Sequence, residues 1–221
     1  MALYIDSAFL NDIMNVTQTV PLAGATTNPS IMLAARERGQ DLDPQGVLDA
    51  LLRSLDGTIF IQPGASGEEE MYAEALAYIQ AAPSRVIPKI PMTRTGMRVA
   101  RRLKQQQHRV AFTAVTSVAQ AYSAAMVEAD FIIPYYGRLE RSGIDPSERI
   151  SQMADLLHNA RLSTRILVAS IKTPEDAANA LLAGAHDLTV TPEVLMEMVT
   201  DTLTEEAVER FTQDWQQMNK L

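Results

Sequence analysis

Short apolar runs alternate with longer segments of helical periodicity along all 221 residues, and this alternation most constrains the fold. The pattern is typical of β–α units that build a parallel sheet. Eight runs are predicted as strands: 3–5, 22–26, 58–62, 86–90, 109–113, 131–135, 165–169 and 188–190. The segments predicted as helices are 11–18, 29–39, 44–54, 68–82, 95–107, 117–128, 145–159, 175–183, one that begins at 192, and 205–217.

Eight βα units in about 200 residues favour an α/β fold consisting of a (β/α)8 TIM barrel with an extra C-terminal helix. A doubly wound sheet is the alternative, but no GxGxxG follows the first predicted strand. No linker rich in Pro and Gly interrupts the pattern, so residues 1–221 are expected to form a single domain.

The composition excludes several classes of function. The formal net charge of -8 argues against nucleic acid or an anionic membrane as the main partner. The chain has no cysteine, and His108, His158 and His186 are too widely spaced for a metal motif, so no metal site is expected. No segment reaches the length of a membrane span, and the expected location is the cytoplasm.

Lys89 lies within an apolar run that contains Ile87, Pro88 and Ile90. Burial of an ammonium group is unfavourable unless the group is paired or loses its proton. A desolvated lysine becomes a neutral amine that can attack a carbonyl and form a Schiff base. A lysine in an apolar run is more often a residue at the edge of a sheet than a nucleophile. The rest of the sequence has to decide between these two interpretations of Lys89.

Polar side chains follow nearly every predicted strand, and in a barrel these strand ends converge on one mouth. They include an amine, a carboxylate, amides, hydroxyls and an arginine: Asp6, Thr26, Thr27, Asn28, Gln62, Lys89, Thr113, Tyr135, Arg138, Ser170 and Lys172. This set suits Schiff-base aldol chemistry, in which Asp6 exchanges a proton with a sugar hydroxyl. Arg138 and Ser170 suit an anionic group at the far end of the sugar.

Several segments resemble the transaldolase family. They are 23–31 (AGATTNPSI), 86–93 (VIPKIPMT), 134–138 (PYYGR), 169–174 (ASIKTP), 3–6 (LYID) and 211–215 (FTQDW). The resemblance covers the whole chain in order, and TTNPS together with KxPxT is highly specific. The chain length fits the short subfamily, which includes fructose 6-phosphate aldolase.

The resemblance implies a class I (Schiff-base) aldolase or transaldolase that requires no metal and no organic cofactor. Lys89 would be the nucleophile, and Asp6 would handle the proton of the C4 hydroxyl. Gln62, Thr113 and Tyr135 would hold a water molecule that shuttles protons. Asn28 would bind hydroxyls of the dihydroxyacetone unit, with Thr26 lining the site. Arg138 and Ser170 would bind the anionic group of the substrate.

Four positions bear on the reaction and the substrate. Gln62 and Tyr135 match the aldolase pattern, whereas transaldolases usually carry Glu and Phe there. Ile133 stands where a small residue is usual, and Gly137 resembles transaldolases. The expected substrate is therefore a sugar phosphate or a similar anionic ketose, with cleavage and transfer of its dihydroxyacetone unit both open. A sugar-phosphate-binding barrel without catalysis is the remaining alternative.

The resemblance also implies a homo-oligomer. Short members of the family form pentamers that pair into decamers, and their C-terminal helix packs on a neighbouring subunit. Phe211 and Trp215, four residues apart in the predicted terminal helix, would serve this contact. An ordinary terminal helix docked on its own barrel fits the same pattern.

Overall fold

The computed structural model describes residues 1–219. Eight parallel strands form a closed barrel in which each strand pairs with the next along the chain and the last pairs with the first. The strands are β1 (Ala2–Asp6), β2 (Gly24–Thr26), β3 (Thr58–Ile61), β4 (Val86–Pro91), β5 (Ala111–Val115), β6 (Phe131–Pro134), β7 (Arg165–Ile171) and β8 (Asp187–Val190). The predicted (β/α)8 barrel is thus confirmed.

Helices connect the strands and surround the barrel. They are α1 (Leu10–Thr17), α2 (Pro29–Glu37), α3 (Pro44–Ser54), α4 (Glu68–Ala81), α5 (Arg94–Gln105), α6 (Val118–Met126), α7 (Tyr136–Arg141), α8 (Pro146–Asn159), α9 (Pro174–Leu182), α10 (Pro192–Glu197) and α11 (Thr202–Met218). No helix within residues 1–219 is both long and apolar enough to cross a bilayer.

Two helical segments differ from the sequence pattern. The short helix α7 was not predicted, because Tyr136–Arg141 is only six residues long and has glycine in its first turn. The terminal helix α11 contains the predicted segment 205–217 and begins at Thr202, where the Asp201 side chain accepts hydrogen bonds from two backbone N–H groups. None of its residues is buried, so α11 is not docked on its own barrel.

The mouth of the barrel is the end at which the eight strands finish, and the lower end is where they begin. The barrel interior is apolar below the mouth. Its buried side chains are Tyr4, Phe60, Ile87, Ala111, Phe131, Ile133, Leu167 and Ala169. The Phe60 ring packs edge-to-face against Tyr4 and Phe131, with ring centroids 5.2 and 5.0 Å apart. This packed layer closes the barrel from below, so a ligand can enter only from the opposite end.

An ion pair between a buried carboxylate and a partly exposed guanidinium joins three strands at the lower end. Arg165 at the start of β7 makes a bidentate contact with Asp187 at the start of β8, with N–O distances of 2.7 and 2.8 Å. The same carboxylate accepts a hydrogen bond from the backbone N–H of Ala2 in β1 at 2.7 Å. Asp187 therefore links β7, β8 and β1 where the barrel closes.

Two glycines allow β2 and β3 to approach each other closely at their lower ends. A Cβ atom at Gly57 would lie 1.9 Å from the carbonyl oxygen of Ala23. A Cβ atom at Gly24, which has a φ of 145°, would lie 1.8 Å from the carbonyl oxygen of Thr58. Any larger residue would push the two strands apart.

We expect Gly57→Ala to lower the free energy of unfolding by about 2–3 kcal/mol, because the added methyl group forces the β2–β3 contact open. Gly64→Ala is the matched control, since its added Cβ would lie 3.8 Å from the nearest side chain. Urea denaturation of both variants measures the difference. Equal stability of the two variants would contradict the proposed close contact.

Candidate active site

A cavity of about 470 Å³ opens at the carboxyl ends of the strands. Of the nine residues to which the sequence assigned a specific role, eight line it: Asp6, Asn28, Gln62, Lys89, Thr113, Tyr135, Arg138 and Ser170. The ninth, Thr26, is fully buried and contacts Asp6 instead. The closed barrel thus brings together side chains that are up to 164 residues apart in sequence (Asp6 and Ser170).

Lys89 is a fully buried charged side chain in the barrel interior, only 1% exposed. On β4 it follows Ile87 with the period of two that directs both side chains inward, and Ile87 belongs to the apolar layer below. None of the ion pairs found within residues 1–219 includes Lys89. Its amine lines the cavity and is not held by a structural carboxylate.

Asp6 ends β1 and supplies a carboxylate to the same cavity. Burial raises the pKa of this carboxyl, and the positive charge of Lys89, a hydrogen bond from Thr26 and the charge of Lys172 act in the opposite direction. Thr26 Oγ1 donates to Asp6 Oδ1 at 2.6 Å. A carboxyl group with a raised pKa beside an amine is suited to proton exchange with a ligand.

Two strand ends place a hydroxyl pair in the cavity. Thr113 Oγ1 and Tyr135 Oη lie 2.8 Å apart and form a hydrogen bond. Ala114, directly after Thr113, has a φ of 58° at a register shift between β5 and β6. This irregularity shapes the cavity wall, because Ala114 itself lines it.

The loop after Gln62 is held by Glu74 of α4. The Glu74 carboxylate accepts hydrogen bonds from the backbone N–H groups of Gly64 and Ala65 at 3.0 and 3.1 Å. It also accepts a hydrogen bond from the Tyr78 hydroxyl at 2.6 Å. Burial raises the pKa of the Tyr78 hydroxyl, with a further contribution from Glu74, so this donor keeps its proton. These contacts fix the chain that leaves the cavity at Gln62.

Asn28 stands at the N-terminus of α2 and has two separate polar groups to use. Its Oδ1 accepts the backbone N–H of Ile31 at 3.0 Å and caps the helix. The amide nitrogen is the group left for a ligand, so Asn28 can act in the cavity as a hydrogen-bond donor.

Two cationic side chains, Arg138 and Lys172, line the same cavity. Arg138 lies on α7, and its guanidinium carbon is 4.6 Å from the centroid of the Tyr135 ring. Ser170, with a φ of 60°, and Lys172 come from the end of β7 and the residue after it. A Cβ atom on Gly137 would lie 2.9 Å from the Ser170 carbonyl oxygen, so glycine lets α7 approach this segment. The arrangement can bind an anion.

Three further polar residues line the cavity and were not assigned a role from sequence: Ser30, Lys172 and Thr191. Lys172 was already named among the polar strand ends, and Thr191, which also directly follows a strand, could have been found in the same way. Ser30 lies in the first turn of α2, where no strand end points to it. Within residues 1–219, no group of three or more His, Cys, Asp or Glu side chains is placed to hold a metal ion.

Solved structures similar to this chain include variants of flavocytochrome b2. One with sulfite bound has a TM-score of 0.63 and 12% identity, and another with benzoylformate has a TM-score of 0.61 and 11% identity. Each match covers 88% of this chain, which spans 58% of the length of those chains. At this identity the likeness shows the barrel fold alone.

The sequence itself matches a family model described as transaldolase/fructose-6-phosphate aldolase over residues 3–221. The match includes every strand end that lines the cavity. The chain therefore belongs to the transaldolase/fructose-6-phosphate aldolase family.

Proposed function

We propose that this protein is a Schiff-base aldolase. Its substrate is a ketose with an anionic group at C6, which it cleaves to release a dihydroxyacetone unit or forms by the reverse reaction. The observation that carries this proposal is the buried amine of Lys89, which lines a cavity beside the Asp6 carboxylate. An interior lysine outside any structural ion pair has no evident role in stability, whereas a Schiff-base enzyme requires one.

In this mechanism the amine nitrogen of Lys89 adds to the C2 carbonyl, and the carbinolamine that results loses water to form an iminium ion. The iminium accepts the electron pair of the C3–C4 bond as that bond breaks. Asp6 takes the proton of the C4 hydroxyl, and the aldehyde fragment leaves. The enamine that remains on Lys89 carries the three-carbon unit.

Release of free dihydroxyacetone then requires a proton at C3 of the enamine. Gln62 and the Thr113–Tyr135 hydrogen-bonded pair are the groups proposed to hold the water that delivers it. Water then hydrolyses the iminium and regenerates the amine. Asn28 donates to hydroxyls of the three-carbon unit, and Arg138, Ser170 and Lys172 bind the anionic group.

Borohydride reduction in the presence of fructose 6-phosphate is expected to trap a three-carbon adduct on the peptide that contains Lys89. Intact mass and peptide mapping measure it.

The Lys89→Met variant should lose both turnover and trapping, while circular dichroism shows that the barrel is still folded. An adduct from dihydroxyacetone alone would indicate a different anionic ketose. Retained turnover in Lys89→Met would refute the mechanism, and binding of the sugar without any turnover in the wild type would favour a non-catalytic barrel.

Transfer of the enamine to an aldehyde acceptor is the second candidate, and Gly137 favours it. This residue matches transaldolases and brings α7 against Ser170 and Lys172 at the anion-binding side. The two reactions share every step up to the enamine and differ in whether a proton or an aldehyde captures it.

Tyr135→Phe should raise the ratio of transfer to cleavage by about tenfold or more, because it removes the phenol that bonds Thr113 and supports water at the enamine. Product analysis with and without an added acceptor aldehyde measures this ratio. Tyr122→Phe, on the exposed face of α6, is the matched control. If the wild type turns over only with an acceptor present, the protein is a strict transaldolase.

We further propose that α11 packs on a neighbouring copy of the chain, as in the pentamers and decamers that the family resemblance implies. Phe211 and Trp215 are 67% and 63% exposed, and Val208 and Met218 continue the same apolar stripe. Such a stripe is unfavourable in water unless a partner covers it.

The Phe211→Glu/Trp215→Glu double variant is therefore expected to lose the oligomer, because charge replaces the apolar contact. Light scattering after size exclusion measures the mass of each species. Leu182→Glu, at an 86% exposed position on α9, serves as the control. A wild-type chain that is monomeric at all concentrations would contradict this assembly.

A further inference from the structure

Two buried threonine hydroxyls form a chain beneath Asp6. Thr26 Oγ1 lies 2.6 Å from Asp6 Oδ1 and 2.7 Å from Thr189 Oγ1. Both threonines are fully buried, and they stand on β2 and β8, the two strands that flank β1. The proposed reaction uses Asp6 directly, whereas Thr189 is linked to Asp6 through Thr26.

The direction of the hydrogen bonds follows from proton counting. An ionised carboxylate can only accept, so Thr26 must give its single hydroxyl proton to Asp6. The bond between the two threonines then requires Thr189 to donate and Thr26 to accept. Among the side-chain hydrogen bonds found within residues 1–219, this is the one in which Thr189 takes part. The chain is therefore complete when Asp6 is ionised.

Protonation of Asp6 on Oδ1 would reverse the chain. Thr26 would then accept from Asp6 and donate to Thr189, and the Thr189 proton would lose the acceptor it has in the ionised state. A buried donor without an acceptor is unfavourable. Protonation on Oδ2 would leave the chain intact but weaken it, because an ionised carboxylate accepts a stronger hydrogen bond than a neutral carboxyl oxygen does. The pair of threonines thus favours the ionised carboxylate and leaves Oδ2 as the oxygen that can face the ligand.

We propose that Thr189 is a positioning residue that acts through Thr26 to keep the Asp6 carboxylate ionised and aligned for proton exchange with the substrate's C4 hydroxyl. The inference rests on the proposed function of Asp6. It also accounts for how a carboxylate can serve as a base in a partly buried position. Burial raises the pKa of Asp6. Besides the hydrogen bond from Thr26, two charged groups lower this pKa, namely Lys89 on β4 and Lys172 after β7.

Three variants separate this role from simple packing. Thr189→Val removes the hydroxyl and keeps the branched shape, whereas Thr189→Ser keeps the hydroxyl. Thr164→Val is the matched control, because Thr164 is only 3% exposed and its hydroxyl donates to the Ala129 carbonyl at 2.7 Å, at the opposite end of the barrel. Thr189→Ala replaces the valine variant if that protein does not fold, since it removes the hydroxyl without adding volume.

The first measurement is an NMR titration of the Asp6 carboxyl carbon, assigned with Asp6→Asn, in protein that carries ¹³C-labelled aspartate. The second is the pH profile of kcat/KM with fructose 6-phosphate. Because the base is active when ionised, a higher pKa of Asp6 moves the acid limb of the profile to higher pH. We expect Thr189→Val to shift both curves upward in pH and to lower kcat about three- to tenfold with little change in KM. Thr189→Ser should restore both curves, and Thr164→Val should leave them unchanged.

An unchanged Asp6 titration in Thr189→Val, or an equal shift in Thr164→Val, would overturn the inference. The titration needs no turnover, so it tests the threonine chain even if the proposed reaction is wrong. Conversely, loss of turnover in Asp6→Asn together with an unchanged titration in Thr189→Val would leave the proposed function standing and reject the role of Thr189.

Discussion

The burial of a lysine amine inside a closed barrel is the constraint on which the rest of the site depends. Below Lys89 the interior is filled with aromatic and aliphatic side chains, none of which is a carboxylate that could neutralise the ammonium group. A carboxylate that neutralises it must therefore come from the mouth. Asp6 does so, and its partly buried carboxylate accepts a hydrogen bond from Thr26, which is bonded in turn to Thr189. The polar layer is a connected set, and the apolar layer beneath it keeps water out.

The barrel also supports backbone conformations that a free chain would avoid. Ala114 and Ser170 are non-glycine residues with φ near 60°, and each coincides with a register shift, in β5 and β7 respectively. Such conformations cost on the order of 1–3 kcal/mol each and persist only where the surroundings hold them. Both residues line the cavity, so the strain is located where the wall departs from regular strand geometry.

The sequence allowed much of this to be predicted, and the reason lies in the periodicity of the fold. The convergence of strand ends was sufficient to assign nine polar residues to one cavity, Lys172 among them. Thr26 was expected to line the cavity, but its side chain is fully buried between Asp6 and Thr189, and only the three-dimensional packing shows this. The helix α7 and the lining by Ser30 depend on local packing after a strand, which no residue pattern encodes. The hydroxyl chain to Thr189 joins residues 163 apart and required three-dimensional coordinates.

The isolation of α11 has a thermodynamic consequence. This helix has 17 residues and buries none of them, so it gains almost nothing from its own barrel. Helices of this length are only marginally stable alone in water, because most helical stability in proteins comes from packing. If a neighbouring copy supplies that packing, the ordering of α11 and the association of subunits become a single linked equilibrium. Part of the association free energy is then spent on ordering the helix, and the affinity is lower than the contact area alone would indicate.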